Sequence, residues 1–314
     1  MGPIHTSLGF SPNLSNMADT DTSAVRDWYY ETEVLWPGQK LGLEVTKRVM
    51  ETQTEFQHLE VVETRSHGTM LALDGVIQLT ERDEVAYHEM MVHVPLRLHG
   101  APETVLVVGG GDGGAVREVL RHPSVSSVVL CELDPEVTAA ARTHLPQTAG
   151  ALDDARVTIV HQEAAAWLAS SGRTFDAIIV DSSDPVGPAE TLVSPEFYAS
   201  VHAALAPHGI MVAQAESLWL HAALIAGILS TCSSLFSSVG YYWTSVPTYP
   251  SGQIGWVVCS NDIDVNAPPA SPTPSFVSSL SIYSPQTHAA SFVLAPMHAR
   301  AIGLTPSTPE SLNG

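Results

Sequence analysis

Basic residues are scarce in this chain: 13 Lys and Arg stand against 33 Asp and Glu among 314 residues, a formal net charge of −20. A surface so poor in cations opposes binding to nucleic acid or to an anionic membrane, and it draws small cations toward any acidic cleft. Cysteine is scarcer still. Cys131, Cys232 and Cys259 form an odd set with no CxxC pair, which argues against a disulfide framework or a zinc knuckle and for a reducing, cytoplasmic setting. Long apolar runs are missing as well. Ala222 to Leu229 falls far short of the roughly 20 residues a membrane span needs, so a soluble protein with no membrane partner is expected. The first 25 residues have neither the basic start and apolar centre of a secretory signal nor the arginines of a mitochondrial presequence. They read as a disordered tail. Met1 to Thr6 formally fits a myristoylation pattern, but Pro3 stiffens it and no polybasic partner follows.

What the chain does have is apolar content, 45% of residues, enough for one large domain with an appendage or two modest ones. From Trp28 to about Arg65 apolar and polar residues alternate, as strands do. Thr69 to Leu73 and Val76 to Leu79 flank Asp74-Gly75, a strong hairpin signal. A helix then fits Glu84 to Leu98. After Pro102 the rhythm becomes strand, helix, strand: Val105 to Val108, Ala115 to Arg121, Ser127 to Glu132, then a helix from Pro135 to His144. Val157 to His161, Ala177 to Val180 and Gly209 to Gln214 supply further core strands, which together predict a doubly wound α/β sheet. The expected organisation is a tail (1–25), an N-terminal β domain (26–83), a Rossmann-like catalytic domain with its linking helix (84–266), and a Pro-rich segment with a C-terminal tail that packs back only in part (267–314).

The run Val105 to Gly114 carries the most information. Gly109, Gly111 and Gly114 fit GxGxxG, and Glu132 follows at the distance at which a dinucleotide fold places its ribose acid. Asp112 spoils that reading. A pyrophosphate needs bare N–H groups without a competing anion, so a carboxylate in the turn points to a cationic ligand group instead. In open α/β sheets ligands sit beyond the carboxyl ends of strands, and acids collect there: Asp112, Glu132, Glu163, then Asp181 and Asp184. Glu132 is placed to accept the hydroxyls of a ribose. Paired carboxylates such as Asp181 and Asp184 serve as acid and base, hold a divalent metal, or clamp an ammonium group. No His or further acid lies beside them in sequence, which favours a clamp with one base over a metal; one of the two capping the next turn remains open.

Six ordered motifs then point to a family. Leu73 to Glu84, Tyr87-His88-Glu89-Met90, Gly109 to Gly114, Asp181 to Glu190, Gln214 to Trp219, and Pro247 to Gly252 closely resemble the spermidine synthases, over roughly Trp28 to Ser260. The resemblance implies a methyltransferase-like Rossmann domain behind a small β domain. It also implies an aminopropyltransferase that moves the aminopropyl group of decarboxylated S-adenosylmethionine, a co-substrate rather than a cofactor, to putrescine. Gln57, His88, Asp112, Glu132, Glu163 and Ala164 would line the nucleoside donor, with Asp112 on its ammonium. Tyr87, Asp181, Ser182, Ser183, Asp184, Gln214 and Tyr249 would hold the diamine, with Asp181 as the base and no metal. Trp219 reads as core. Homodimers or homotetramers are implied, the hairpin at Asp74-Gly75 giving a surface that can pair across a two-fold axis.

Two departures stand out. Many relatives carry Asp where this chain has Glu163, a position that meets the adenine amino group, so the added methylene should shift that pocket or weaken it. Ile282 to His288 follows the family's closing motif only loosely. Three alternatives to spermidine synthesis stay open: a putrescine N-methyltransferase, a spermine synthase, and a catalytically silent polyamine-binding subunit.

Overall fold

The computed structural model describes residues 26–32, 36–183 and 191–305. The expected tail and Asp184 lie outside the described residues.

The Asp74-Gly75 turn is formed, with both residues at positive φ, 49° and 80°, as a two-residue hairpin matched to strand twist requires. It joins the last pair of an antiparallel sheet, β1 (Asp27–Tyr30), β2 (Gly42–Gln53), β3 (His58–Thr64), β4 (Gly68–Leu73) and β5 (Val76–Thr80), paired in that order. Alternation gives this small sheet two faces. Val62, Met70 and Ala72 form one cluster, while Leu59, Val61, Leu71 and Leu79 pack on Val137, Ala140 and Leu145 of the larger domain.

Helix α1 (Glu84–His99) leads out of that sheet and is buried on almost every side. Beyond it lies the larger sheet. Its strands are β6 (Thr104–Gly109), β7 (Ser127–Cys131), β8 (Val157–Val160), β9 (Phe175–Asp181), β10 (Leu205–Gln214), β11 (Ser238–Ser245) and β12 (Gln253–Ser260). They lie in the order β11-β12-β10-β9-β6-β7-β8. The five strands from β10 to β8 are parallel, and β12 and β11 close one edge antiparallel. Strand β6 sits between helical layers: Val105 and Val107 face one core, Leu106 and Val108 the other. That is why its sequence is apolar without interruption.

The crossovers are α2 (Gly114–Val119), α3 (Pro135–His144), α4 (Pro146–Ala149), α5 (Ala164–Ser171), α6 (Pro195–Ala203) and α7 (Ala222–Leu235). Helices α3 and α6 start on a capping side chain followed by proline, Asp134-Pro135 and Ser194-Pro195. In α7 the apolar run noted above buries Ile225, Ile228, Leu229 and Cys232, one helical face. The order in which strands are added reverses after β8: the chain crosses back to place β9 on the other side of β6. The carboxyl ends of β6 and β9 therefore form a topological switch point, with Gly109 paired to Asp181.

Two expectations are corrected. Trp219 is 58% exposed and is not core. The described part of the segment after Pro274, up to residue 305, packs more fully than expected: Tyr283, His288 and Ile302 are buried, and α8 (Pro285–Ser291) and α9 (Pro296–Ala301) lie on the larger domain. Glu89 anchors it. This 2% exposed carboxylate on α1 accepts the backbone N–H groups of Ser281, Ile282 and Tyr283 at 2.9, 2.7 and 2.8 Å. Charge-assisted bonds of this kind have no replacement once the acceptor is gone. Glu89→Ala should therefore cost about 3 kcal/mol in urea denaturation, and a loss under about 1 kcal/mol would show the tail to be held elsewhere.

Candidate active site

One cavity opens at the switch point, roofed by the N-terminal sheet. Gln57, Tyr87, His88, Asp112, Glu132, Glu163, Ala164, Asp181, Ser182, Ser183, Gln214 and Tyr249 all line it. Every residue singled out from sequence, apart from Asp184, thus reaches the same space. The roof is tied down at Asp134, whose carboxylate accepts Thr54 Oγ1 at 2.8 Å and Gln57 Nε2 at 3.0 Å while also capping α3.

The glycine run explains itself by what it touches. Gly109 has φ 73°, and a side chain there would overlap the Asp181 carbonyl oxygen. A side chain at Gly114 would overlap the His88 ring. Absence of Cβ atoms thus lets the loop press against the acids and the histidine. Asp112 Oδ1 accepts Gly114 N–H at 2.8 Å and lies 3.4 Å from His88 Nε2.

Asp181 ends β9 with 9% exposure. Its Oδ1 accepts the Tyr87 hydroxyl at 2.7 Å, and among the described residues its buried Oδ2 has no hydrogen-bond partner. Burial and the neighbouring Asp112 push its pKa up to about 6, against the opposing pull of His88 and Tyr87. Burial lifts Tyr87 well above its ordinary value, so its hydroxyl stays a donor. Burial works against a charged His88, but Asp112 and Glu84 outweigh it and hold the imidazole at about 9. Sequence proximity showed no histidine near Asp181; the fold supplies one. His88, Asp112 and Asp181 each offer a ligand atom within 4.8 Å of one another, a spacing that suits either a metal ion or an ammonium group.

At the other end Glu132 follows β7. Its Oε2 accepts Gly111 N–H at 3.1 Å and its Oε1 accepts Asp134 N–H at 2.9 Å. Burial pushes its pKa up to about 7. Glu163 adopts a role the sequence did not show: it caps α5, Oε1 accepting Ala165 N–H at 3.0 Å and Oε2 accepting Ala166 N–H at 2.7 Å. The extra methylene is taken up by this two-oxygen cap. Tyr249 donates its hydroxyl to Gln78 O at 2.6 Å and presents its ring to Tyr87 at 5.7 Å between centroids.

Sequence reasoning passed over three residues here. Glu216 lines the cavity, with φ 62° and contacts to Gln214 at 3.4 Å and His221 at 3.1 Å. Its positive φ, strained for a residue with a Cβ, was invisible from its place inside a quoted motif. Trp36 lines the cavity with an indole N–H that finds no acceptor among the described residues, and Glu31, whose Oε1 accepts Ile77 N–H at 3.0 Å, leaves Oε2 unpaired on the same terms. No local signal marks them, because both lie between β1 and β2, outside any strand pattern.

Residues 84–268 match the model of the spermine/spermidine synthase domain, and residues 27–81 match the spermidine synthase tetramerisation domain. The chain is 44% identical to a spermidine synthase of Dictyostelium discoideum across 88% of this chain and 98% of that protein. It is 45% identical to a polyamine aminopropyltransferase of Leptospira biflexa across 87% and 97%. Among solved structures, a spermidine synthase in complex with the transition-state analogue AdoDATO superposes with a TM-score of 0.83 at 34% identity, covering 88% of this chain and 95% of the other. A spermidine synthase from Thermotoga maritima gives 0.80 at 33% identity, covering 89% and 95%.

Proposed function

This chain belongs to the spermine/spermidine synthase family, and from that membership and its cavity we propose that it is a spermidine synthase. It transfers the aminopropyl group of decarboxylated S-adenosylmethionine to putrescine, giving spermidine and methylthioadenosine. The observation that carries the assignment is Asp112, an acid inside the glycine turn, 3.4 Å from His88 and close to Asp181. Loss of the donor's carboxylate leaves a sulfonium and an ammonium, and a carboxylate in the turn attracts that ammonium where the intact donor would meet repulsion.

Glu132 takes the ribose hydroxyls; Gln57, Glu163 and Ala164 shape the rest of the nucleoside site. The diamine lies between the rings of Tyr87 and Tyr249, which fence its methylenes, with Gln214, Ser182 and Ser183 beside it. Asp184, from its place in the same motif, is assigned to the diamine as well. The distal ammonium is directed toward Glu216. Putrescine nitrogen attacks the carbon next to sulfur, the carbon–sulfur bond breaks, and methylthioadenosine leaves. Asp181 takes the proton of the attacking nitrogen. A sulfonium is its own leaving group, so neither a metal nor a further cofactor is required, and the His88-Asp112-Asp181 group is read as an ammonium site.

Incubation with putrescine and each of the two donors, with products read by mass, tests this. Spermidine from the decarboxylated donor alone is expected; methylputrescine from the intact donor would overturn it. Because Asp181 must be ionised to accept a proton and sits at about 6, kcat/KM should rise with pH and break near pH 6 on the acid side. A profile flat down to pH 5 would remove Asp181 from the role.

The match of residues 27–81 to a tetramerisation domain supports self-association, as a homodimer or homotetramer. Its edge strand β1 offers Trp28 and Tyr30, 40% and 57% exposed and stacked on each other. Among the described residues no helix is long and apolar enough to cross a membrane. The three cysteines are free and buried, which suits the cytoplasm.

A further inference from the structure

We propose that Glu84, locked by Arg117, is a positioning residue that keeps His88 as a built-in cation opposite Asp112, and that the donor's ammonium displaces its proton on binding. Such a linkage rests on the aminopropyl transfer proposed above. Neither Glu84 nor Arg117 lines the cavity, yet both are built around a residue that does.

Glu84 stands one turn before His88 on α1 and receives its Nδ1 at 2.6 Å. Its two oxygens are gripped by Arg117 of α2, Nη1 to Oε1 and Nη2 to Oε2, both at 2.9 Å. Arg117 is fixed in turn by Nε to Glu118 Oε1 at 2.7 Å. A bidentate guanidinium holds Glu84 ionised, and burial, which would raise its pKa, is overcome by His88 and Arg117, leaving it at about 2. Nδ1 of His88 must therefore carry a hydrogen. That fixes the meaning of Nε2, which faces Asp112 at 3.4 Å. In a neutral ring Nε2 would be a lone pair set against a carboxylate, acceptor against acceptor in a buried site. A second proton turns the clash into an ion pair.

The ring cannot swing away, because Gly114 backbone lies where any side chain would overlap it and the Tyr87 ring crosses it edge-on at 5.3 Å. The charged and titratable groups facing it are Glu84 and Tyr87 from α1, Asp112 from the glycine loop and Asp181 from β9, with Arg117 of α2 behind Glu84. When an ammonium arrives between Asp112 and Asp181, it meets the Nε2 proton of His88 inside the same cluster, whose ligand atoms lie within 4.8 Å of one another, and two buried cations face each other at one site. Loss of the Nε2 proton to solvent removes the competitor and leaves Nε2 as an acceptor for an ammonium N–H. At Asp112 one positive charge enters and one leaves. Apart from the donor's sulfonium the pocket keeps its charge balance, and only a ligand carrying an ammonium triggers the exchange.

Calorimetry at pH 8, in two buffers of different ionisation enthalpy, counts the protons. At that pH Asp181 is already ionised, while His88 still holds its proton. Decarboxylated S-adenosylmethionine is compared with the S-methyl sulfonium of methylthioadenosine, which has the same nucleoside and sulfonium charge and no ammonium, so any proton linked to Glu132 or to the sulfonium cancels. Wild-type protein should release about one proton more with the first ligand than with the second. In Glu84→Gln and in His88→Gln that difference should fall close to zero. The pH at which donor affinity breaks should also move down in Glu84→Gln by about 2 units, a displacement that a merely structural role would not produce. Equal proton counts for the two ligands in wild-type protein, or an unchanged difference in a folded Glu84→Gln, would overturn the proposal. If Glu84→Gln does not fold, the wild-type and His88→Gln counts decide. Spermidine production by the same preparation is measured separately: spermidine without the extra proton sinks only the linkage, whereas no spermidine sinks the parent reading and the linkage with it.

Discussion

Replacing Asp181 by Asn should lower kcat by roughly a hundred- to ten-thousandfold, the range lost when a positioned general base is removed. The substitution preserves shape. An amide there can still accept the Tyr87 hydroxyl now held at 2.7 Å, so the wall of the cavity stays in place while the proposed base is gone. Donor binding should change little, because the charge nearest the donor's ammonium is that of Asp112. The acid limb near pH 6 should vanish from the pH profile together with the activity, since that limb belongs to Asp181. Steady-state kinetics across pH 5 to 9 makes the check. Turnover within a few fold of wild type would move the role to Tyr87 or to a water molecule.

Replacing Asp112 by Asn should reduce kcat/KM for the decarboxylated donor about a hundredfold, the equivalent of about 3 kcal/mol for a desolvated charge deprived of its partner. Here the loss should fall mainly on KM for the donor, because the contact proposed between Asp112 and the ammonium would be made in ground state and transition state alike. A companion effect sets this variant apart from one that merely misfolds. The amide oxygen of the introduced side chain can still accept Gly114 N–H, as Asp112 does at 2.8 Å, so the loop should keep its shape and thermal stability. With one repulsive neighbour removed, Asp181 should titrate lower than about 6, because Asp112 is among the groups that raise it. The acid limb of the residual activity should shift accordingly. An unchanged donor KM would mean that the ammonium is held elsewhere.

How far the sequence reaches is clearest strand by strand. Val105 to Val108 announces a buried parallel strand because both of its faces are covered, and Asp74-Gly75 announces a hairpin because few other residue pairs accept two positive φ angles. Strands β11 and β12 were not anticipated. Their pairing, Ser238 to Ser260 through Ser245 to Gln253, spans a connection of seven residues that reads locally as a loop motif rather than a turn. The burial of the C-terminal segment was illegible for a related reason: its acceptor, Glu89, lies almost 200 residues earlier.

The sequence by itself determined the acids and the order in which they follow the strands, because strand ends and glycine turns are local features and the switch-point rule converts them into one site. It also marked Asp112 as the residue at odds with a phosphate. Tertiary structure decided everything that depends on distance between remote segments. Helix α1 carries His88 to the glycine loop, and Arg117 of α2 reaches back to fix the Glu84 that orients it. The connection between β1 and β2 carries Trp36 to the cavity, and Glu163 caps a helix while also lining the cavity. Charge states followed the same division. Whether a carboxylate such as Asp181 or Glu132 titrates near neutrality depends on burial and on neighbours brought in by folding, and no spacing along the chain encodes either.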